Sequence, residues 1–370
     1  MTRTQNIAIV GAGVAGLALA ILATQQGHKV NLFERGSTVS SVGAGVTLWP
    51  NAMFVMQQMG LERELMRMGG SPDMMRQFDQ HGSLQTEFDV LAVNSLCGFP
   101  SVTILRRELM SAMAGAFERL GGKITFNSSI SAADVMKLGK DFDLVVGADG
   151  RMNSVVRQTL YAEEITPRYH GFVNVIGVAK PLTAVPDNVI YDFRGQGQRF
   201  GIVPVNDGGC YWAGAWNTSA DKERPKADLY AELHQRFHDW PEAVKKILLT
   251  CDSASVSRVF VHDIDPLPFW HHDNVLIIGD AAHASLPTSG QGACQALEDA
   301  WHLTQLLNQT DNLEIALQRF YQQRHIKTSS AQKVGREFAT KIFSEQPEPL
   351  LPTSNISAVE LSRFWMQGLT

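Results

Sequence analysis

Near the start of the chain, Gly11-Ala12-Gly13-Val14-Ala15-Gly16 sits between two segments of different character. Asn6 to Val10 is an apolar run suited to a buried strand, and Val14 to Gln25 is rich in Ala and Leu, as expected of a short helix packed on a sheet. Glycines at this spacing constrain the fold strongly. Gly11 permits a tight turn, Gly13 lets a pyrophosphate approach the backbone, and Gly16, one residue after the small Ala15, allows the helix to lie close to the strand. The helix N-terminus then faces the phosphate charge. A second apolar run, Lys29 to Phe33, ends in Glu34-Arg35, and Glu34 follows Gly11 by 23 residues. That is close to the roughly 20-residue spacing at which an acid meets an adenosine ribose. This unit predicts a bound dinucleotide without distinguishing NAD from FAD.

Two later segments make that choice. Asp143-Leu-Val-Val-Gly147-Ala148-Asp149-Gly150 is an apolar strand running into an acidic turn, and Asn153 to Arg157 then opens a helix. Asn274-Val-Leu-Ile-Ile-Gly279-Asp280 repeats the plan, with Ala281 and Ala282 small enough for close contact. Carboxylates at such turns can accept hydrogen bonds from sugar hydroxyls, and the backbone amides of Gly290, Gln291 and Gly292 are suited to another polar part of the ligand. The three segments together read as an FAD site assembled from distant parts of the chain.

In these segments the chain resembles the class A flavoprotein monooxygenases, the family of para-hydroxybenzoate hydroxylase. The likeness covers roughly residues 5 to 330 and rests on the motifs at 11–16, 143–150 and 279–292. Gly43-Ala44-Gly45-Val46, followed by Trp49-Pro50-Asn51-Ala52, matches the place where the family brings backbone to the isoalloxazine ring. Arg106 matches an Arg near the ribityl and phosphate portion of the cofactor, and Pro287 with Gly290 to Gly292 would shape the flavin face. The resemblance implies an α/β fold with a discontinuous Rossmann-like FAD-binding domain and a second, mostly antiparallel β-sheet substrate domain. Residues 1–70, 101–165 and 263–330 would form the first, 71–100 and 166–262 the second, and 331–370 a C-terminal helical segment and tail.

The resemblance also implies a reaction: NAD(P)H, either NADPH or NADH, binds transiently and reduces FAD, O2 adds at flavin C4a, and the hydroperoxide hydroxylates a small aromatic or heteroaromatic substrate. Within the family the pattern is nearest that of urate hydroxylase and related short monooxygenases. Arg199 and Tyr211, twelve residues apart, match its active-site Arg and Tyr. A guanidinium can pair with an anionic oxygen and a phenol can hydrogen-bond a ring carbonyl or hydroxyl. The alternative has Arg199 capping a sheet edge and Tyr211 filling a strand face. Thr288-Ser289 replaces an acidic and an apolar residue of urate hydroxylase, which weakens urate as substrate. Tetracycline inactivation, an FAD-dependent reductase and a flavin-binding protein without turnover are the competing functions.

Composition agrees with a cytoplasmic enzyme. At 370 residues with 44% apolar content the chain can bury a large core, and a formal charge of −5 without a long basic block argues against nucleic acid. No apolar run reaches the ~18 residues of a membrane span. Cys97, Cys210, Cys251 and Cys294 are scattered, and the adjacent His271 and His272 do not share a face, so no metal site is expected. Met53, Met56 and Met59, and Leu109, Met113, Phe117 and Leu120, read as the buried faces of two helices. The composition does not indicate an oligomeric state.

Overall fold

The computed structural model describes residues 4–39, 43–179, 188–221, 225–344 and 357–369. Its first layer is a six-stranded sheet in the order His271–His272, Val275–Ile277, Leu144–Gly147, Asn6–Val10, Lys29–Phe33 and Ile124–Thr125. All pairs are parallel except the outermost, His271–His272 with Val275–Ile277. The strands at its centre are almost wholly apolar and buried on both faces, as a parallel sheet covered by helices requires. The helix Val14–Gln25 follows the turn after the first strand, as its Ala and Leu content predicts. Leu17, Leu19, Ile21 and Leu22 are buried there, each contributing roughly 1.5–3 kcal/mol. It packs against Gly292–Gln309, a helix from the other end of the sequence.

The second layer is a seven-stranded sheet, ordered Ser257–Asp263, Arg168–Ala179, Cys210–Asn217, Gln198–Pro204, Val189–Gly195, Met74–Asp79 and Leu84–Asp89. Its single parallel pair is Val189–Gly195 with Met74–Asp79. The alternation of its strands divides the side chains cleanly. Phe200, Trp212, Trp216 and Phe193 point to one face and pack with Leu233, Phe237, Trp240 and Ile247 from the helices Lys226–Phe237 and Glu242–Thr250. Pro241 separates those two helices.

A short antiparallel pair, Gly45–Leu48 with Val102–Leu105, lies where the layers meet. The Thr103 hydroxyl donates to the Pro204 carbonyl across that junction. Met53, Met56 and Met59 are buried as expected, and so are Leu109, Met113 and Phe117. Leu120 departs from the expected stripe and is 41% exposed, because the helix Arg106–Arg119 stops one residue before it and the left-handed Gly121 turns the chain away. Residues 345–356 of the expected C-terminal segment lie outside the described residues, and within that segment a terminal helix runs Ala358–Met366. Among the described residues no helix is long and apolar enough to cross a membrane.

Candidate cofactor and substrate site

The three glycine-bearing turns leave the carboxyl ends of adjacent strands. Val10 pairs with Gly147, and Gly147 with Ile277, so the turns at Gly11, Asp149 and Gly279 stand side by side. The chain order reverses here, with Lys29–Phe33 on one side of the first strand and Leu144–Gly147 on the other, the arrangement that opens a ligand crevice in a doubly wound sheet. The contact is too tight for side chains. A Cβ at Gly16 would lie 1.9 Å from the Gly11 carbonyl oxygen, and one at Gly11, where φ is +105°, would lie 2.4 Å from that of Ala148. Gly13 is the N-cap of Val14–Gln25, and among the described residues no side chain caps that start. Its amides are the kind of donors an anion satisfies.

Around this crevice the polar groups are partly spoken for. Glu34 accepts from the amides of Ala12 and Gly36, both at 2.8 Å, tying the end of the second strand to the glycine turn. Arg35 beside it is exposed. Asp149 faces its own helix, accepting from the Ser154 hydroxyl at 2.5 Å and the Val156 amide at 3.2 Å, and burial pushes its carboxyl pKa up. Gly150 completes the turn with φ +84°. Asp280 is 44% exposed at the crevice mouth, 3.8 Å from Arg151.

Arg106 begins a helix close by, with its amide donating to Ala44. Its Nε is buried with no hydrogen-bond partner among the described residues. Burial lowers its pKa, an effect opposed by Asp280 and reinforced by Arg151. A buried guanidinium nitrogen without a partner, an uncapped helix start and a crevice closed to side chains fit a dinucleotide with its pyrophosphate.

The substrate candidates meet this layer from the second sheet. Arg199 and Tyr211 are on the face opposite the aromatic core: Tyr211 stands across from Val203, two residues along the same side as Gly201 and Arg199. The Tyr211 ring lies directly on Gly45, where a Cβ would come 2.1 Å from its Cδ1, so only glycine is tolerated there. Its hydroxyl is 2.9 Å from Thr47 Oγ1. Burial raises the Tyr211 pKa, opposed by the Thr47 hydrogen bond and by the charge of Arg199. Arg199 and Tyr211 therefore share one face, and Gly45 lies against the Tyr211 ring. The small Gly201, Ala213 and Ala215 leave space on this face.

The turn Pro287 to Gly292 approaches from a third direction. Pro287 and Gly290 are exposed, and the Gly290 carbonyl accepts from Trp49 Nε1 at 3.0 Å. Gln291 is buried, with Oε1 accepting from Asn51 Nδ2 at 3.0 Å, and Gly292 starts the helix Gly292–Gln309.

A model of the FAD binding domain matches residues 4–312. The chain belongs to the class A flavin monooxygenases. The monooxygenase is 30% identical to the aurachin C monooxygenase/isomerase of Stigmatella aurantiaca over 323 residues, 85% of this chain and 84% of that protein. It is 28% identical to the FAD-dependent urate hydroxylase of Klebsiella pneumoniae over 334 residues, 85% of each. The crystal structure of Klebsiella pneumoniae HpxO complexed with FAD and uric acid matches with a TM-score of 0.82 at 26% identity, covering 92% of this chain and 90% of that one. FAD is the cofactor of the monooxygenase, and NAD(P)H is the reductant typical of the family.

Several polar groups of the monooxygenase left little trace in its sequence pattern. Behind the Pro287 to Gly292 turn, Arg324 donates to Asp299 at 2.9 Å and to Glu298 at 2.6 Å, and Lys327 lies 2.9 Å from Glu298. Asp299 in turn accepts from the Gly279 amide at 2.8 Å and lies 2.5 Å from His283 Nε2, which makes His283 a structural member of its turn. His283 and Arg324 hold the Asp299 carboxyl down at about 2 against the opposing effect of burial. These groups lie on the helices Asp280–His283, Gly292–Gln309 and Leu313–Phe343, and no sequence motif marked Glu298, Asp299, Arg324 or Lys327. Arg157, fully buried and donating to the Ala281 carbonyl at 3.0 Å, likewise ties two of the turns together.

Proposed function

We propose that this monooxygenase hydroxylates a small aromatic or heteroaromatic substrate held by Arg199 and Tyr211. The observation that carries the reading is that these two side chains share one face of the second sheet, away from its aromatic core, with Tyr211 seated on Gly45. Relatives named for urate and 6-hydroxynicotinate hydroxylation support a planar, oxygen-bearing heteroaromatic substrate class.

In this reading Gly11, Gly13, Ala15 and Gly16 receive the FAD pyrophosphate, Glu34 and Arg35 flank the adenosine, and Arg106 and Asp280 flank the phosphate and ribityl portion. Asp149 and Gly150 shape the crevice from the adjacent strand. Gly45, Val46, Pro287, Gly290, Gln291 and Gly292 border the flavin ring. FAD, reduced by NADH or NADPH, supplies oxygen activation, the hard bond chemistry of the reaction.

The protein's part is placement and charge. The Arg199 guanidinium binds an anionic oxygen of the substrate and favours its ionised, electron-rich form. Tyr211 keeps its proton on Oη, because burial disfavours the phenolate, and so offers a donor to a ring oxygen while accepting from or donating to Thr47. The apolar wall of Ile176, Val178 and Val203 on the same face excludes water from the reacting atoms.

The test is aerobic NAD(P)H oxidation by the FAD-loaded protein with phenols, hydroxypyridines, urate and tetracyclines, following products by mass. Stimulation with a product heavier by one oxygen supports the reading. Bound, reducible FAD with no stimulation by any member would count against it and favour a reductase or a flavin-binding protein without turnover. A tetracycline product would replace the substrate class.

A further inference from the structure

Behind Arg199 stands a charge cluster that the functional reading does not use. Asp192, on the neighbouring strand and opposite Gly201, is fully buried. Its Oδ1 accepts from Arg199 Nε at 2.5 Å, and its Oδ2 accepts from Arg194 Nε at 2.9 Å and lies 2.8 Å from Arg194 Nη2. Arg194 and Arg199 face each other across the same antiparallel ladder. A carboxylate taken out of water persists ionised only when paired, and these two guanidiniums share it, one to each oxygen.

Among the register neighbours the one carboxylate is exposed. Asp79, the register partner of Arg194 on the next strand, keeps its negative charge but turns it toward the amides of His81 and Ser83 in an exposed turn, where water screens it from the buried cluster. Gln77 stands opposite Asp192, and Ala213 and Ala215 stand opposite Gly201 and Arg199. Were Asp192 paired with Arg199 alone, the anchor would be electrically neutral. Two guanidiniums and one carboxylate instead leave one net positive charge. Because Arg199 commits its Nε to Asp192, the direction of its fork is set, and Nη2 lies over Gly201, 3.9 Å from where a Cβ would stand.

We propose that Asp192 is a positioning residue that aims the Arg199 guanidinium at the substrate, and that Arg194 sets the charge of the site so that it selects a singly anionic ring. This inference rests on the assignment of Arg199 as a substrate contact. Neither Asp192 nor Arg194 touches the reacting atoms; both act through Arg199. Loss of Asp192 therefore leaves attraction and loses aim, while loss of Arg194 leaves aim and loses attraction.

Asp192→Asn and Arg194→Gln, made in the FAD-loaded full chain, separate these effects. The probes are benzoate, a minimal aromatic anion, and benzamide, its neutral counterpart, titrated by their perturbation of the flavin absorbance. Coupling is measured as the fraction of NAD(P)H oxidation that yields hydroxylated product. Arg194→Gln is expected to raise the benzoate Kd about tenfold with benzamide and coupling unchanged, and Arg194→Lys to restore benzoate binding. Asp192→Asn is expected to leave the benzoate Kd equal or lower and to cut coupling about tenfold.

If Asp192→Asn does not retain FAD, Asp192→Glu, which keeps the charge and shifts the carboxylate by one methylene, takes its place: lowered coupling with benzoate binding unchanged supports the positioning role, and unchanged coupling overturns it. If benzoate does not bind, the KM of the substrate found by turnover takes its place. Weakening of benzoate and benzamide alike by both variants would mean a merely structural cluster and overturn the proposal. Wild-type turnover that neither variant alters overturns this inference alone. Wild-type protein that binds no aromatic anion and turns over no substrate overturns the functional reading and this inference with it.

Discussion

The carboxyl end of the six-stranded sheet and the open face of the seven-stranded sheet present their chemistry in different ways. The first offers mainly backbone: glycine turns at the ends of adjacent strands, an uncapped helix start, and distances such as the 1.9 Å from a Gly16 Cβ to the Gly11 carbonyl that exclude any side chain. The second offers side chains, Arg199 and Tyr211 on a regular ladder, with backbone amides already paired strand to strand. A backbone site can bind the same cofactor across many sequences that keep the turn. A site made of side chains on a sheet can change its ligand by exchanging one residue without disturbing the ladder.

Four experiments would break or sharpen that contrast. Gly16→Val should have the largest effect, since its side chain must displace backbone, and purified protein should retain less than about a tenth of the wild-type FAD, read from the ratio of flavin to protein absorbance. Retention of full FAD would show that the crevice is not limited by backbone approach.

The backbone layer also leans on buried charges behind it. Replacing Arg324 by Leu leaves Glu298 and Asp299 buried with fewer partners and should cost about 3–5 kcal/mol in urea unfolding. A loss below about 1 kcal/mol would mean the cluster relaxes or hydrates.

A pH titration follows from the same cluster. Burial, with the charge of Arg324, lowers the His302 pKa to about 4 from 6.5. The folded state thus binds fewer protons than the unfolded one between these values. The stabilisation from neutral His302 is complete above about 6.5 and is lost as pH falls toward 4, for a total on the order of 3 kcal/mol. Stability measured at pH 7, 5 and 4 should fall accordingly, and His302→Leu should flatten that part of the profile.

The open sheet face should give the smallest losses and leave FAD in place. Arg199→Gln removes a charge-assisted contact and should lower kcat/KM about ten- to a hundredfold, whereas Tyr211→Phe, which removes one neutral hydrogen bond, should lower it about three- to tenfold. Loss of FAD from either variant would erase the distinction between the two regions.

Much of the fold was legible because local signals agreed. The strand Asn6–Val10, the helix Val14–Gln25 and the strand Lys29–Phe33 fall where apolar periodicity and the glycine turn put them. The mostly antiparallel second sheet that the family resemblance implied is present in the strands between residues 168 and 217. Less of the site was legible. Nothing local marks Asp192 as buried between two arginines, because an acid and a base seven residues apart on successive strands look like ordinary sheet-edge polarity. The direction of Asp149 was also hidden: its turn reads as a sugar contact, while in the structure Ser154 and Val156 engage its carboxylate. Leu120 was assigned to a helix face that ends one residue too soon, since fraying and a left-handed glycine outweigh periodicity at a terminus.

The sequence by itself determined the fold class and the cofactor crevice, because glycine spacing and apolar runs act through the few dihedral angles and short contacts that a turn permits. Tertiary structure alone decided which charged groups pair and which remain open to a ligand. Arg199, Arg194 and Asp192 are set by strand register, and Arg324, Glu298 and Asp299 by the packing of two helices. Charge pairing depends on distances of a few ångströms between residues far apart in the chain, and on burial that strengthens the attraction, and neither is fixed until the layers have packed.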